Sequence, residues 1–547
     1  MLEVGAESAS VHGLKTASAH SSKQAVVLGC LPKVWTLRSQ QIHDMAETID
    51  LPGANHRREQ QRDRMTALSV LLFCWVLFAA VEQSPFTLQG AVVEALVERG
   101  RLYFVRGSMK ESMNERVFEN FDTNTPSFRF LFNIFPHGGV YHVNHAPGQF
   151  LLAAPWYAAC VKLGWRFETH EHLVWRVLVW TLTAPLGALG VMGIFILARR
   201  MGMPCLEALL ASMALALSSP WWPASGVLYH DSLAVALILI GATVWQCRPA
   251  RHGIGAIASP IAAGFLLAFS VVTTYLVAPI VLLILGSMLA ARLPRRDMIL
   301  FGLAFLPTLS ILPIANVMAF GSPLATGYSA GGFDKNFPSP FDLANAWEKI
   351  GFYLWHFEYG LLWVFPVFFL GVLGLLLGPP IKPPARWLLL TLMAVHFLFI
   401  ITMEHHGSVG WGMGRFFLPL YPILVFGLPA FWHLEGWKGH IARALLFSTL
   451  LYSAVFAVAG AGYGLQGVME PGVWTLKQRL MANHYQFYQG LSWVAMIAGV
   501  LGEVLYQVFC ATSAQVPLTV ARQSRHKVPQ RPKVASAVDS RRRRRRK

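Results

Sequence analysis

A single carboxylate, Glu82, closes the first long apolar block of the sequence, which begins at Thr66. If this block crosses a membrane, Glu82 lies at its mouth, where a carboxylate loses part of its hydration and is suited to accept a proton as a general base. An ordinary interfacial glutamate that ends a helix is an equally good interpretation. The next two acids, Glu94 and Glu98, are four residues apart and are predicted to form a solvated helix face.

Three histidines, His137, His142 and His145, lie within a short stretch that runs on to Gly148. Neutral imidazole is a good metal ligand, and imidazolium donates hydrogen bonds to anions. The spacing is irregular and the stretch contains no acid, so it is a weak pattern for a metal site. It predicts instead that His142 and His145 make polar contacts with a substrate or a lipid headgroup.

An arginine, Arg415, stands at the start of another apolar block, after a glycine-rich approach that contains His405 and His406. A guanidinium at the entrance of a membrane span is costly to bury unless an anion accompanies it, and a phosphate fits its two-pronged donor geometry. The alternative is an arginine that reaches out to lipid phosphate. The neighbouring histidines and glycines favour a binding site.

Two further places carry polar groups beside apolar blocks. His230 and Asp231 put an imidazole and an acid at the beginning of a block, where polar groups often line a cavity rather than face lipid. The stretch from Phe320 to Tyr328 is rich in turn-forming residues and opens a long polar segment. Tyr328 is a candidate substrate contact, although the stretch also serves simply to end the preceding helix.

The composition of the chain indicates which kind of structural element must position these polar side chains. The chain has 547 residues, of which 54% are hydrophobic and only 13% charged, and its mean hydropathy is +0.46. This exceeds what one soluble core can bury, and many blocks are long enough to cross a bilayer. The pattern predicts an all-α integral membrane protein with about twelve spans, near 66–82, 172–198, 204–220, 230–247, 254–271, 274–291, 298–320, 359–378, 386–402, 414–433, 440–461 and 491–510.

The positions of lysine and arginine predict the orientation of these spans, because short cytoplasmic loops retain positive charge. Basic pairs such as Arg199–Arg200 and Arg295–Arg296 recur on one side, while 218–230 and 403–414 contain no lysine or arginine. The alternation requires that Pro147 to Leu163 lies on the outer face as an interfacial helix, with Trp156 and Tyr157 at headgroup depth. A thirteenth span is the alternative.

This topology predicts a membrane domain over 66–510 with external loops at 83–171, 321–358 and 462–490. Both tails, 1–65 and 511–547, are expected to be disordered and cytoplasmic. Since no cleavable signal peptide is evident, the first span is expected to be a retained signal-anchor, although Met45 or Met65 could be the true start. Loops carry most binding and catalytic groups, so the external face is expected to be the working face.

The net charge of +17 is concentrated in the tails and short loops. From Arg522 to Lys547 the chain has twelve basic residues and one acid, Asp539. Beside a membrane, such a tail is expected to contact anionic lipid, and no nucleic-acid partner is expected. The six cysteines show no metal-ligand spacing. No clear ligand set for a divalent metal is present, and the cofactor is left open.

Residues 66 to 465 resemble, in order, the bacterial polyprenyl-phosphate-dependent glycosyltransferases of the C-type membrane fold, which are relatives of the dolichyl-phosphate-mannose protein mannosyltransferases. The resemblance rests on the acid after the first span, the long first external loop with juxtamembrane helices, and four phrases. These phrases are Asn144 to Tyr157, Phe320 to Tyr328, Tyr359 to Pro366 and Trp411 to Pro422.

The resemblance implies a sugar transferase that uses a polyprenyl-phosphate donor at the external face of the bacterial inner membrane. It also implies that Glu82 is the first-loop carboxylate that activates the acceptor, alone or with a metal, and that Arg415 holds the lipid-linked phosphate. Many relatives have two acids after the first span, whereas Glu82 is followed by Gln83 and Ser84. The protein therefore either works with one carboxylate or is inactive.

Two other functions remain open at this stage. A transporter or flippase of a lipid-linked or anionic substrate would need polar groups in the middle of its spans, and most spans have none. A non-catalytic membrane protein of the same fold would account for the missing second acid. The sequence does not specify the sugar, the acceptor or the oligomeric state.

Overall fold

The computed structural model describes residues 54–81, 87–104, 134–137, 140–143, 145–249, 253–291, 293–326, 343, 345–355, 361–378, 381–402, 415–462 and 484–515. Four predicted site residues lie outside this part of the chain: Glu82, Tyr328, His405 and His406. Of Arg415, the backbone alone is described. The chain separates into two units, Met1–Thr66 and Ala67–Lys547, and the second contains the elements discussed below except the first part of α1.

The described chain is almost entirely helical, because a chain in an apolar solvent must pair its backbone groups locally. Its first elements are α1 (Ala54–Ala79), α2 (Thr87–Arg99), β1 (Tyr103–Phe104), β2 (Ile134–His137), β3 (Val140–Val143), α3 (Gly148–Lys162), α4 (Phe167–Leu178), α5 (Ala184–Met201), α6 (Cys205–Leu217), α7 (Trp221–Ser225), α8 (His230–Gln246) and α9 (Ile254–Thr273). A π-helical turn, Val179–Thr183, joins α4 to α5.

The second half is likewise helical. It contains α10 (Ala278–Ala290), α11 (Arg295–Phe320), α12 (Ala346–Trp355), α13 (Leu361–Val364), α14 (Val367–Leu377), α15 (Pro383–Thr402), α16 (Tyr421–Leu424), α17 (Gly436–Gly462) and α18 (His484–Gln515), with 3-10 helices at Tyr275–Val277, Arg415–Leu420 and Val425–His433. α11 ends at Gly321, whose φ of 75° is the left-handed conformation that glycine adopts without strain.

The predicted helical membrane class is confirmed. By length and composition, six of the described helical segments can cross a membrane: Phe167–Met201, Ile254–Thr273, Arg295–Phe320, Pro383–Thr402, Phe416–His433 and Gly436–Val458. Five shorter apolar helices also lie within predicted spans, at Cys205–Leu217, His230–Gln246, Tyr275–Ala290, Val367–Leu377 and Leu491–Gln507. The apolar half of α1 lies within the first predicted span. The exact number of spans stays a prediction.

The span predicted at 414–433 differs from an ordinary α-helix. Residues 415–433 form two 3-10 helices on either side of α16. Pro419, Pro422 and Pro429 recur along it, and proline removes the backbone donor that an α-helix needs. Because a 3-10 helix rises about 2.0 Å per residue, fewer residues cover a given thickness. This segment is almost wholly buried, so it lies in the centre of the protein.

One small sheet accompanies the helices and was not predicted. It has the order β1-β3-β2, and both pairings are antiparallel. Tyr103 and Phe135 both lie opposite His142 in the register. The sheet lies within the long first loop and brings β3, which carries His142, to the residues that precede α3.

The interfacial helix predicted from Pro147 to Leu163 corresponds to α3. Trp156 is exposed at its surface, but Tyr157 is completely buried and does not face headgroups. Together with Phe150 and Cys160, Tyr157 packs in a core separate from the main one, formed with α2 and α4. The predicted solvated face is wrong for Glu94, which is buried. Glu98 is exposed, as predicted, and it accepts a hydrogen bond from the Tyr157 hydroxyl at 2.7 Å.

Candidate functional site

Two histidines from distant parts of the chain meet where α3 and α8 begin. The ring centroids of His145 and His230 are 4.5 Å apart. Gly148 makes this approach feasible: a Cβ at this position would lie 2.7 Å from the backbone of Thr273, so any larger residue would push the start of α3 away from the end of α9. The close packing of Gly148 against Thr273 thus places His145 against the first residue of α8.

The first turn of α8 contributes a buried carboxylate to the same place. Asp231 is only 1% exposed, and its Oδ1 lies 3.4 Å from Nε2 of His230. The ring of Tyr229 lies 4.7 Å from that of His230. Ser232 fixes this turn, since its hydroxyl donates to the carbonyl oxygens of Ala224 and Tyr229 at 2.7 and 3.0 Å. A negative charge in a first helical turn is favoured by the helix dipole.

A third histidine, His396 on α15, was not among the predicted site residues. It is fully buried and interacts electrostatically with Asp231. Its Nε2 lies 3.1 Å from the carbonyl oxygen of Phe416, so the neutral ring is a donor there. A sequence signal did exist, because an ionisable residue within an apolar span is by default a functional candidate.

His142 lies beside this group, across a small cavity of about 40 Å³ whose lining includes His142, His145, Tyr275, Asn316 and Phe320. The His142 ring is 5.3 Å from that of Phe320, the last residue of α11. Asn316 donates to the carbonyl oxygen of Pro323 at 3.2 Å and so holds the turn that follows α11. The phrase that begins at Phe320 is therefore next to the histidines. We name His142, His145, His230, Asp231 and His396 the histidine cluster.

Two other predicted site residues are Arg415 and Glu82, and the chain segments next to them approach the same cluster. Arg415 begins the 3-10 helix Arg415–Leu420, which packs against α8 and α15. Val81, the residue before Glu82, packs against Gly226: a Cβ on Gly226 would overlap the Val81 side chain. Gly226 lies in the short connection from α7 to α8, four residues before His230.

The structure thus brings together four of the predicted site residues, His142, His145, His230 and Asp231. The side chains of Glu82, Arg415, His405, His406 and Tyr328 lie outside the described part. Within that part, no group of three His, Cys, Asp or Glu side chains is placed to hold a metal ion. The cluster can bind anionic or hydroxyl-rich groups, since histidines donate or accept hydrogen bonds and Asp231 accepts them.

No protein-family model matches the chain, and no curated protein matches it. Among solved structures, it is similar to ArnT from Cupriavidus metallidurans bound to undecaprenyl phosphate, with 14% identity, 85% of this chain and 80% of that chain covered, and a TM-score of 0.42. For the apo state of the same protein the identity is 14%, 80% of this chain and 76% of that chain are covered, and the TM-score is 0.41.

A third similar structure is the archaeal oligosaccharyltransferase AglB from Archaeoglobus fulgidus in complex with an inhibitory peptide and a dolichol-phosphate. Its identity is 12%, with 73% of this chain and 56% of that chain covered, and the TM-score is 0.39. With TM-scores below 0.5, these likenesses assign no role to any residue, and the roles below come from this chain's own residues.

Proposed function

We propose that this membrane protein transfers a sugar from a polyprenyl-phosphate donor to an acceptor hydroxyl at the face where the histidine cluster lies. We also propose that this face is external, that both termini are cytoplasmic and that the membrane is the bacterial inner membrane. The donor class follows from the sequence resemblance, and the orientation follows from the distribution of lysine and arginine.

One observation carries the proposal: segments from five distant parts of the chain converge at the beginning of α8. His145 contacts His230. His396 bonds to the Phe416 carbonyl and lies within electrostatic range of Asp231. Val81 and Gly226 are in contact just before the residues Glu82 and His230. A few polar groups brought together in otherwise apolar surroundings are typical of a ligand-binding site.

The proposed reaction is a single displacement at the anomeric carbon. Glu82 accepts the proton of the acceptor hydroxyl as the new bond to the anomeric carbon forms. The bond from that carbon to the phosphate oxygen breaks, and Arg415 stabilises the charge on the departing polyprenyl phosphate. His405 and His406 support the phosphate. Tyr328 and four residues of the histidine cluster, His142, His145, His230 and Asp231, hold the sugar hydroxyls.

The test measures polyprenyl phosphate, because it is released whichever acceptor is used. The purified protein in liposomes is incubated with a panel of undecaprenyl-phosphate hexoses and pentoses, and undecaprenyl phosphate is quantified by mass spectrometry. We expect Glu82→Gln to lower release at least 100-fold, which is the low end of a general base's contribution. Glu168→Gln, which alters an exposed acid on α4, is the matched control and keeps full release.

Arg415→Lys is expected to lower the rate about tenfold or more, because lysine keeps the charge but not the fork that binds phosphate. Arg176→Lys, at an exposed position, is its control. Unchanged turnover in Glu82→Gln would remove that residue from the mechanism. Transport of intact donor across the liposome bilayer, with no release of undecaprenyl phosphate, would identify a flippase instead.

A further inference from the structure

A second and larger cavity lies away from the histidine cluster. Its volume is about 360 Å³, within the range of about 300–1,000 Å³ typical of small-molecule sites. Helices α5, α8, α9, α10 and α15 and the segment 416–433 contribute residues to its lining. Most of its wall is aliphatic or aromatic, with Ile238, Ile284 and Leu389 as examples from three helices.

The polar side chains of the lining are confined to one end of the cavity. They are Arg200, Gln246 and Ser287, each within a few residues of the C-terminal end of its helix, and Lys382, which immediately precedes α15. The apolar wall reaches back along α8 as far as Val235. From Val235 to Gln246 α8 rises about 16 Å, at about 1.5 Å per residue. The cavity is therefore a deep apolar slot with a polar mouth at the opposite end of α8 from His230.

The charge at this mouth is entirely positive among the described lining residues, which include no aspartate or glutamate. Arg200 and Lys382 are both exposed. Trp245 also lines the cavity at this end, and the guanidinium of Arg248 lies 4.2 Å from its ring centre. Tryptophan and basic side chains at the end of a span are characteristic of headgroup depth. The slot thus combines chain-shaped apolar space with two cations at the level of lipid phosphates.

We propose that this cavity binds one anionic glycerophospholipid of the membrane leaflet on that side. One acyl chain fills the slot between α8, α10 and α15, and the phosphate lies between Arg200 and Lys382. Arg and Lys side chains are the usual partners of phosphate oxygens. The volume suits a single acyl chain rather than a polyprenyl chain several times longer. The proposal does not rest on the proposed sugar transfer, because the phosphate would lie at the opposite end of α8 from His230.

The test uses phosphatidylglycerol with a photoactivatable diazirine near the middle of one acyl chain, in nanodiscs that contain the purified full chain. After illumination, cross-linked peptides are mapped by mass spectrometry. We expect labelling of α8 and α10 at lining residues such as Ile238 and Ile284. The same diazirine on phosphatidylcholine is expected to label them at least tenfold less, because its headgroup carries no net charge.

The variant Arg200→Gln/Lys382→Gln is expected to lower labelling by phosphatidylglycerol at least tenfold. Arg295→Gln/Arg296→Gln removes the same charge from exposed positions outside the lining. This variant is expected to change labelling by phosphatidylglycerol less than twofold. A second test, Ala242→Phe, fills the slot and keeps both cations, and it too is expected to abolish labelling. A single symmetric peak in size-exclusion chromatography checks that each variant is folded.

Four results would overturn the proposal. Equal labelling by the two lipids, or full labelling of the double glutamine variant, would show that the cations do not select the headgroup. If the lipid probe labels none of the lining residues because another segment of this chain fills the slot, the cavity belongs to that segment. Displacement of the probe by undecaprenyl phosphate at a lower concentration than by unlabelled phosphatidylglycerol would assign it to a polyprenyl lipid.

Discussion

Nε2 of His396 lies 3.1 Å from the carbonyl oxygen of Phe416, and this hydrogen bond ties α15 to the residue that follows Arg415. Both groups are buried. Since an unsatisfied buried carbonyl costs about 1–3 kcal/mol, the contact restricts where the chain after Arg415 can lie. His396 is thus a positioning residue for the start of the 3-10 helix Arg415–Leu420.

We predict that His396→Leu weakens donor binding and raises the KM for the undecaprenyl-phosphate sugar about tenfold, the equivalent of one buried hydrogen bond. The kcat is expected to fall less, because His396 acts through the position of Arg415. His396→Asn, which retains a hydrogen-bond donor, should have a KM between those of the wild type and His396→Leu. His172→Leu, at an exposed position on α4, is the control. Equal loss of kcat and kcat/KM with unchanged KM would contradict a positioning role.

The Tyr157 hydroxyl donates to Glu98 at 2.7 Å and joins α3 to α2. Tyr157→Phe is expected to lower the free energy of unfolding by about 1 kcal/mol at pH 8, measured by thermal unfolding in detergent. Burial, followed by the hydrogen bond to Glu98, raises the pKa of Tyr157 well above its usual 10.0. Tyr103→Phe, which changes a half-buried tyrosine on β1, is the control.

The raised pKa of Tyr157 also predicts that the stability of the folded protein depends on pH. The folded state binds the phenolic proton more tightly than the unfolded state, so the stabilisation is complete below pH 10 and decreases as the pH rises above it. The wild type should therefore lose stability between pH 8 and pH 11 more steeply than Tyr157→Phe. A difference between the two proteins that stays constant over this range would contradict the buried contact.

Backbones of α14 and the 3-10 helix Val425–His433 touch through glycine. A Cβ on Gly374 would overlap the carbonyl oxygen of Gly427, and one on Gly427 would overlap that of Gly371. Neither obstacle is a side chain that could turn away, so Gly374→Ala is expected to destabilise the protein by about 3 kcal/mol, the upper end for an overpacked core. Gly302→Ala is the control, because a Cβ there meets nothing within 4 Å. Similar melting temperatures of the two variants would contradict this packing.

Helices α17 and α18 are joined by a buried ion pair. Arg443 donates from Nε to Oε2 of Glu503 at 2.9 Å and from Nη2 to Oε1 at 3.0 Å. Glu503→Gln is expected to cost about 3 kcal/mol of stability, because it leaves the guanidinium buried without a countercharge. Arg443→Met/Glu503→Leu should regain most of that loss. Asp297→Asn, in the more exposed pair with Arg248, is the matched control and should cost below about 1 kcal/mol.

The proposed orientation predicts which loops meet the exterior. In a variant without native cysteines, Ser408→Cys should react with a membrane-impermeant maleimide added to intact cells. Ala250→Cys, in the basic loop between Arg248 and Arg251, should react only after the cells are opened. Labelling of Ala250→Cys and protection of Ser408→Cys in intact cells would reverse the orientation and place the proposed reaction on the cytoplasmic side.

The sequence by itself determined where the helices lie. An apolar block has few alternatives in a membrane, because its backbone groups must pair within the same segment. Pro147 to Leu163 was accordingly placed within one residue of α3 at each end. Polar groups beside such blocks, among them His145, His230 and Asp231, were also recognisable, because ionisable groups are costly there.

Only the tertiary structure decided which of these groups meet. The approach of His145 to His230 depends on the packing of Gly148 against Thr273, which no local pattern encodes. Tyr157 and Glu94 are buried because α2, α3 and α4 share a core, although their spacing alone is compatible with exposure. The physical reason is that helix formation uses bonds within one segment, whereas packing selects among many possible faces of neighbouring segments.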